Sequence, residues 1–451
     1  MTRFLIIVLT ICLTGGAAFA GHVDTYGIGS RATAMAGAMT AGTNDPFAVH
    51  YNPAAMSRIK RPTFSVGAHM VDPSLKIKNF HAEMTSDYPI SNVSGDSEVT
   101  DDSPLLIVPH IGYVHPINDK IAVGFAVYVP YGLELHWDDN ASANPAAYNT
   151  FHSWYVREVI TPSISYKVTD KLSLGFGVVL GKSKAGTEKV RYVPSFMAAA
   201  AAPYDELTGA QYETKMEDDF NYSFNFGLLY EFNEKLALGV AFRTESKTHM
   251  EGRTDVSPDL TMWQNQNVDA SVDIDTPNQL QIGLEYKPTP KWSINLDVTR
   301  TWWGSIQDYS VKFDDPYMAT PGITDGANEE YYDREWKNVF QYRIGTEYKL
   351  NEHVDLRAGY YYDPSVVPGN TFDVQWPDAD KHVFSGGVGI HMGRVTVDLT
   401  LQYIKIEDVH INGDSHNLNE TFTRPGYHEG EVYATASGHL IGYGATVSYS
   451  F

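Results

Sequence analysis

Few residues in this chain have the types and spacing that reaction chemistry needs. A serine nucleophile requires an imidazole and an orienting polar group within hydrogen-bonding reach. The nearest sets are His416–Asn417 in GDSHNLN and His152–Ser153, and no G-x-S-x-G element accompanies either. No phosphate loop, no H-E-x-x-H and no paired-carboxylate spacing occurs, so the sequence predicts no enzyme, no cofactor and no metal. The acidic runs Asp101–Asp102 and Glu217–Asp218–Asp219 read as solvated charge, with bound divalent ions as the sharper alternative. Six more charges, Asp297, Arg343, Glu347, Asp355, Arg357 and Asp398, stand alone in alternating stretches. Their meaning depends on the elements that carry them.

The chain opens with Met-Thr-Arg, the apolar run FLIIVLTICL and a small-residue region ending Ala18-Phe19-Ala20. That layout predicts a cleaved secretory leader over residues 1–20 and a mature start near Gly21. The single cysteine, Cys12, falls inside it. An exported chain without cysteine excludes a disulfide scaffold, a thiolate metal site and a cysteine nucleophile. After Ala20 no apolar run approaches the roughly 18–20 residues of a spanning helix. The formal charge of -22 argues against nucleic acid, whose backbone selects basic surfaces. With 29 Tyr, 20 Phe and 8 Trp the composition leans towards strands, and no linker divides it.

Period-two alternation recurs over most of the length. In FNYSFNFGLLYEF, 220–232, the residues Phe220, Tyr222, Phe224, Phe226, Leu228, Tyr230 and Phe232 share one face. VTVDLTLQY and WSINLDVT repeat the pattern. Short turns at 117–120, 169–171, 233–235, 288–291, 351–353 and 392–394 alternate strictly with long polar segments near 76–102, 135–152, 187–219, 250–269, 304–334, 364–380 and 408–436. Thirteen connections imply fourteen strands with both ends on the short-turn side, the arrangement of an outer-membrane barrel. Aromatic residues near strand ends, such as Tyr286, Trp292 and Tyr348, suit a membrane boundary. The last strand, GYGATVSYSF, ends on Phe451, which resembles the terminal aromatic signal for barrel assembly. The expected fold is therefore all-β, a 14-stranded antiparallel transmembrane barrel over residues 61–451.

Fourteen strands enclose a lumen too wide for their own side chains to fill. Residues 21–60, ending FAVHYNPAAMSRIK, do not alternate and are rich in Gly and Ala, with helix-like pieces near 29–39 and 53–58. Asn52 is placed as a cap and Pro53 as a first helical residue. GIGSRATAMAGA, NPAA with Asn52, Pro53 and Ala54, and RPTFSVGAHMVDP together resemble the N-terminal region of the FadL/TodX family of outer-membrane transporters for long-chain fatty acids and other hydrophobic compounds. The resemblance implies that residues 21–60 form a small helical hatch plugging the barrel.

It also gives meaning to IAVGFAVYVPYGLELHW, 121–137, where alternation stumbles at Val129-Pro130-Tyr131-Gly132. Proline cannot donate to a ladder, so a bulge or kink is expected. In the family the third strand is kinked inward and opens a lateral exit, so Pro130, Tyr131 and Gly132 are candidates for it. An ordinary bulge is the alternative. The family's outer groove lies on its third and fourth outer loops. Here these carry VPSFMAAAAAPYDELTG, with Phe196 and Met197, and LTMW, with Leu260, Met262 and Trp263. Exposed apolar side chains there would make a landing surface, and packing between the loops is the competing reading. The six lumen-phase charges are expected to pair and anchor the hatch. Arg343 or Arg357 could instead receive a substrate carboxylate.

The expectation is a multi-pass outer-membrane protein for passive uptake of a fatty acid or hydrocarbon, monomeric, touching outer-membrane lipid and lipopolysaccharide. A general porin or an adhesive barrel is the alternative from another class, and an outer-membrane esterase a further one.

Overall fold

Each alternating run leaves backbone donors and acceptors along both edges, and in this chain each run finds two neighbours. The computed structural model describes residues 27–85, 92–199, 203–320, 325–424 and 428–451. The expected leader, 1–20, and the start of the expected hatch lie outside the described residues. So do 200–202 of the Ala-rich outer loop.

Among the described residues fourteen antiparallel strands form one closed sheet. They are β1 (Thr63–Met84), β2 (Leu106–Pro116), β3 (Ile121–His136), β4 (His152–Lys167), β5 (Leu172–Val190) and β6 (Gln211–Asn233). Four interrupted strands follow: β7 (Leu236–Arg243 with His249–Ser257), β8 (Val268–Asp273 with Gln279–Thr289), β9 (Trp292–Thr301 with Asp308–Tyr317) and β10 (Ala327–Asp333 with Val339–Lys349). The circuit ends with β11 (Val354–Asp363), β12 (Lys381–Met392), β13 (Val395–Asn412) and β14 (Gly430–Ser450). β14 pairs with β1 from Thr63↔Ser450 to Met84↔Gly430, which closes the barrel. Closure leaves no edge to be satisfied in a bilayer.

The outward rows are apolar. Phe220, Tyr222 and Phe226 on β6 and Leu399, Leu401 and Tyr403 on β13 are exposed, Leu401 to 61%. The belt ends towards the long loops where outward charges begin, as at Glu158–Lys182 (3.2 Å) and Lys184–Glu217 (3.0 Å). Tyr286, Trp292, Tyr348 and Phe451 mark the short-turn rim.

The short turns fall where the sequence places them. The segment over 364–380 has the expected bounds, but others are shorter: the chain leaves its strands only over 191–210 rather than 187–219, and over 413–429 rather than 408–436. Strands run on beyond the belt, where the outward row turns polar while inward residues such as Ala185, Met216, Ile411 and Val432 stay buried, so composition there resembles loop while the ladder continues. Residues 195–199 and 204–207 do form short helical turns in the third outer loop.

The N-terminal segment lies inside the sheet, with residues 32–43 all buried. It folds as α1 (Ser30–Ala34), α2 (Ala48–Tyr51) and a 3-10 turn (Pro53–Arg58). The first helix is shorter than the expected 29–39, because Ala36 (φ 55) and Gly37 (φ 69) turn the chain back on itself. The lumen above this segment is filled by a second, apolar cluster that includes Leu75, Leu133, Tyr155, Trp303, Trp336 and Trp376. The loop over 364–380 and the helix α3 (His416–Phe422) fold inward to complete it.

Candidate functional site

The seat of the N-terminal segment is built on Asn52, Pro53 and Ala54. The Asn52 side chain accepts from Ala54 N (3.1 Å) and donates to Thr40 O (2.8 Å) and Leu228 O (3.0 Å). Pro53 starts the 3-10 turn, where a missing N–H costs nothing. Opposite lie paired glycines, Gly175↔Gly227 and Gly239↔Gly283. A Cβ at Gly175 would sit 2.2 Å from Ala54 N, and one at Gly227 2.2 Å from Asn52 Oδ1. Gly239 would meet Thr40 O at 2.1 Å. The wall is reduced to backbone where the segment's own backbone touches it, the situation in which a strand tolerates glycine.

All six isolated charges face this segment or one another. Asp297 accepts from Thr40 N (2.8 Å) and Thr40 Oγ1 (2.7 Å). Glu347 takes a two-pronged hydrogen bond from Arg31, at 2.9 and 3.2 Å, and a third from Arg357 at 2.7 Å. Arg357, 1% exposed in its side chain, also reaches Asp398 (2.6 Å) and Asp355 (3.6 Å). Arg343 donates to Ala36 O (2.9 Å), the carbonyl presented by the reversal at Ala36–Gly37, and lies 4.1 Å from the centre of the Tyr361 ring. Both guanidinium groups are thus engaged by protein, which favours anchoring over capture of a substrate carboxylate. Sequence reasoning missed Arg31, the cation that plugs into this network, and Arg58, which meets Glu231 (3.1 Å) and Glu285 (3.0 Å). For Arg31 the signal was a single cation within the small-residue stretch GIGSRATAMAGA.

At Pro130 the ladder between β3 and β4 shifts register between Tyr128 and Tyr131. On the other side the effect is larger. β2 and β3 pair only from Pro116↔Ala122 to Ile111↔Val127, so Leu106–His110 and the arm of β3 from Tyr128 onward face each other unpaired. The arm rejoins the wall where Asp102 N donates to His136 O (2.7 Å) and His136 N to Ser103 Oγ (3.0 Å). The result is a gap in the sheet, closed at both ends. Ile107, exposed to 46%, borders it outside; Leu133 and Leu135 border it inside. The N-terminal segment stands at its lower margin, where Phe47 packs edge-on against His110 (5.0 Å between centroids) and His50 against Tyr128 (4.8 Å).

The outer-loop expectation needs correction. Leu260 and Trp263 are buried, 7% and 8% exposed, and Met262 alone of the LTMW apolar residues is exposed. The two loops pack on each other: Trp263 Nε1 donates to Pro203 O (3.0 Å), and Glu206 accepts from Thr261 N and Met262 N. Phe196 and Met197 are half-buried. An indole shielded by a neighbouring loop satisfies its N–H and its apolar area together, so packing between loops wins there.

The Ser–His pairs do not make a site. Neighbours on a strand point to opposite faces, and Ser153 donates inward to Gln375 O while His152 bridges Glu134 and Glu188 on the other side. Asn417 is spent on Asp333 O and Thr371 O. Of the acidic runs, Glu217 pairs with Lys184 and Asp218 accepts from Phe220 N. Phe451 closes the last ladder through its N–H to Pro62 O (2.9 Å).

A plugged fourteen-strand barrel with a gap beside its third strand has relatives. A family model described as "Outer membrane protein transport protein (OMPP1/FadL/TodX)" matches residues 10–451. Outer membrane protein P1 of Haemophilus influenzae is 26% identical, with 95% of this chain and 94% of that protein aligned. A long-chain fatty acid transport protein of Escherichia coli is also 26% identical, over 75% of this chain and 76% of its own. Among solved structures, a FadL homologue of Pseudomonas aeruginosa superposes with a TM-score of 0.76 at 20% identity, covering 96% of this chain and all of its own. The Pseudomonas putida toluene transporter TodX superposes at 0.64 and 18% identity, over 95% and 99% of the two chains. The chain belongs to the OMPP1/FadL/TodX family of outer membrane transport proteins.

Proposed function

We propose that this protein takes up long-chain fatty acids or other hydrophobic molecules by diffusion, that residues 21–60 of the exported chain are its plug, and that substrate leaves sideways through the gap between β2 and β3. The observation that carries this reading is the interrupted β2–β3 ladder beside an apolar upper lumen. A polar solute would gain nothing there, whereas each buried methylene is worth about 0.8 kcal/mol. The molecule enters from the outer loops, passes the apolar upper lumen, meets the plug at Phe47 and turns into the outer membrane past Ile107. The charge network holds the plug and does no chemistry. A leader over 1–20 directs export, the barrel works as a monomer because closure needs no partner, and its belt meets membrane lipid and lipopolysaccharide. Names of relatives support both a fatty-acid and an aromatic-hydrocarbon branch.

The test is uptake of labelled oleate, with toluene in parallel, by cells lacking their own transporter and expressing this chain or its Pro130→Ala/Gly132→Val variant. Uptake of either compound, lost in a variant that still forms a heat-resistant barrel, is the expected result. Undiminished uptake by the variant sinks the lateral route, and no uptake by the parent chain sinks the transport reading for both branches.

A further inference from the structure

Among the described residues, three narrow apolar cavities of the upper lumen share one bordering loop. The first, of about 40 Å³, is lined by Leu75, Ile77, Trp137 and Val374 and reaches Lys76 and Glu407 at the wall. The second, about 10 Å³, touches Leu133, Trp303 and Trp336. The third, about 30 Å³, lies beside Met216, Tyr309 and Val311. One water needs roughly 10–15 Å³ on the same measure, so none of the three admits a fatty acid or an arene as it stands. What separates them is a single stretch of the inward-folded loop over 364–380. Pro377 and Asp378 line the first and second cavities, and Trp376 lines the second and third.

The ends of that stretch are held by buried ion pairs. Arg334 Nη1 meets Asp373 Oδ2 at 2.5 Å, both side chains 1% exposed. Lys381 Nζ meets Asp378, with side chains 0% and 2% exposed. Between the two pins, Trp376 donates from its indole to Tyr309 OH (3.0 Å) and from its backbone N–H to Asp373 Oδ1 (2.8 Å). The pins are costly to break because each would strand a buried charge. The span between them is also held at Gln375, which accepts from Arg334 Nη2 (3.2 Å) and Ser153 Oγ (2.9 Å), and by apolar contact. Residues 374–377 carry no charge of their own, so their displacement would leave both ion pairs in place.

We propose that Trp376 and Pro377 form the selectivity partition of the channel. Displacement of residues 374–377 between the two pinned carboxylates joins the three cavities into one apolar route ending at Leu133 beside the gap. The bulk of Trp376 sets the girth of what passes: a straight acyl chain slips by with a small displacement, a fused-ring hydrocarbon needs the indole out of the way. The inference rests on the transport reading above and adds the residues that choose among hydrophobic substrates.

Two measurements test it in the full chain expressed in cells lacking their own transporter. Labelled phenanthrene and labelled oleate are supplied together, and the ratio of their uptake is read, since the ratio is insensitive to the amount of folded barrel. Trp376→Ala is expected to raise the phenanthrene-to-oleate ratio about tenfold, the lower range of discrimination by pocket size. Trp302→Ala, at a tryptophan lining none of the three cavities, is expected to leave it unchanged. An unaltered ratio in Trp376→Ala overturns the girth assignment. In the second measurement Ser153 and Gln375, joined by a 2.9 Å hydrogen bond from Ser153 Oγ to Gln375 O, are both replaced by cysteine in an exported chain whose own cysteine lies in the leader. The oxidised tether is expected to reduce uptake of both compounds to that of cells without the protein, with recovery on reduction. Equal uptake by oxidised and reduced forms overturns the moving partition. If the parent chain takes up neither compound the transport reading itself has failed, a result distinct from normal parental uptake with an inert tether.

Discussion

The two halves of the lumen are closed by opposite means. Towards the short turns, a segment of small residues is seated on bare glycine backbone and tied by directional polar contacts such as Asp297–Thr40 and Arg31–Glu347–Arg357. Towards the long loops, aromatic and aliphatic side chains from the wall and an inward loop fill the space, with Arg334–Asp373 and Lys381–Asp378 as isolated pins. Polar contacts specify one position and fail when one partner is lost. Apolar packing is non-directional and tolerates a moving guest. The proposed route thus runs from the apolar half of the lumen to the margin of the polar seat.

Four perturbations would break or sharpen that contrast. The largest effect is expected from Arg357→Ala, which leaves the buried Asp398 without its cation while Glu347 keeps Arg31 and Asp355 keeps His391, and should cost about 3–5 kcal/mol. Planar bilayers should then show steady current where the parent shows little, and a silent variant would mean that the network does not hold the plug. Next, Gly227→Val pushes a side chain into Asn52, an overpacking cost of about 1–3 kcal/mol. Intermittent current is expected, while Gly386→Ala, whose added methyl meets only Arg357 O at 3.8 Å, should behave as the parent. If both variants behave alike, the bare glycines are not a seat. Asn52→Ala removes the cap and both side-chain donations, at about 1–3 kcal/mol for buried groups left unpaired. Faster hydrogen exchange of Ala54 and its neighbours, with the barrel melting unchanged, would locate the loss in the plug.

The smallest effect belongs to the outer rim, where His152 lies beyond the outward Glu158–Lys182 pair and so outside the belt. Burial disfavours its charged form, but hydrogen bonds and charge from Glu134 and Glu188 outweigh burial and raise its pKa above the ordinary value. A raised value means that His152 stabilises the rim at acid pH and loses that contribution as pH rises through the folded value. Hydrogen exchange at the outer ends of β3, β4 and β5 should therefore quicken from acid to alkaline pH beyond its intrinsic dependence, and Glu188→Gln should flatten the trend. An identical trend in parent and variant would remove His152 from the account.

Much of the barrel was legible because its physics is local. Alternation such as Phe220 to Phe232 against Asn221, Ser223 and Asn225 needs only the two-residue period of a strand and a solvent on each side. Strand number followed from turns like MGR at 392–394, and the bulge at Pro130 from the missing N–H. Loop limits were less legible, since the outer ends of β5 and β6 exchange the apolar outward row for charges such as Lys182, Lys184 and Glu217 and yet stay paired. Trp263 was misjudged for a related reason: its type announces an apolar group, and only the position of Pro203 and Tyr204 decides whether water or a neighbouring loop covers it.

The sequence by itself determined that this chain must cross a membrane as strands, close on itself, and carry a non-alternating segment that cannot join the wall. Those are consequences of residue order within a few positions. Tertiary structure alone decided that Arg31 finds Glu347, 316 positions away, that Gly227 lies under Asn52, and that β2 releases β3 above Val127. Such pairings depend on how fourteen strands register around a circle, and no short stretch of sequence carries that information.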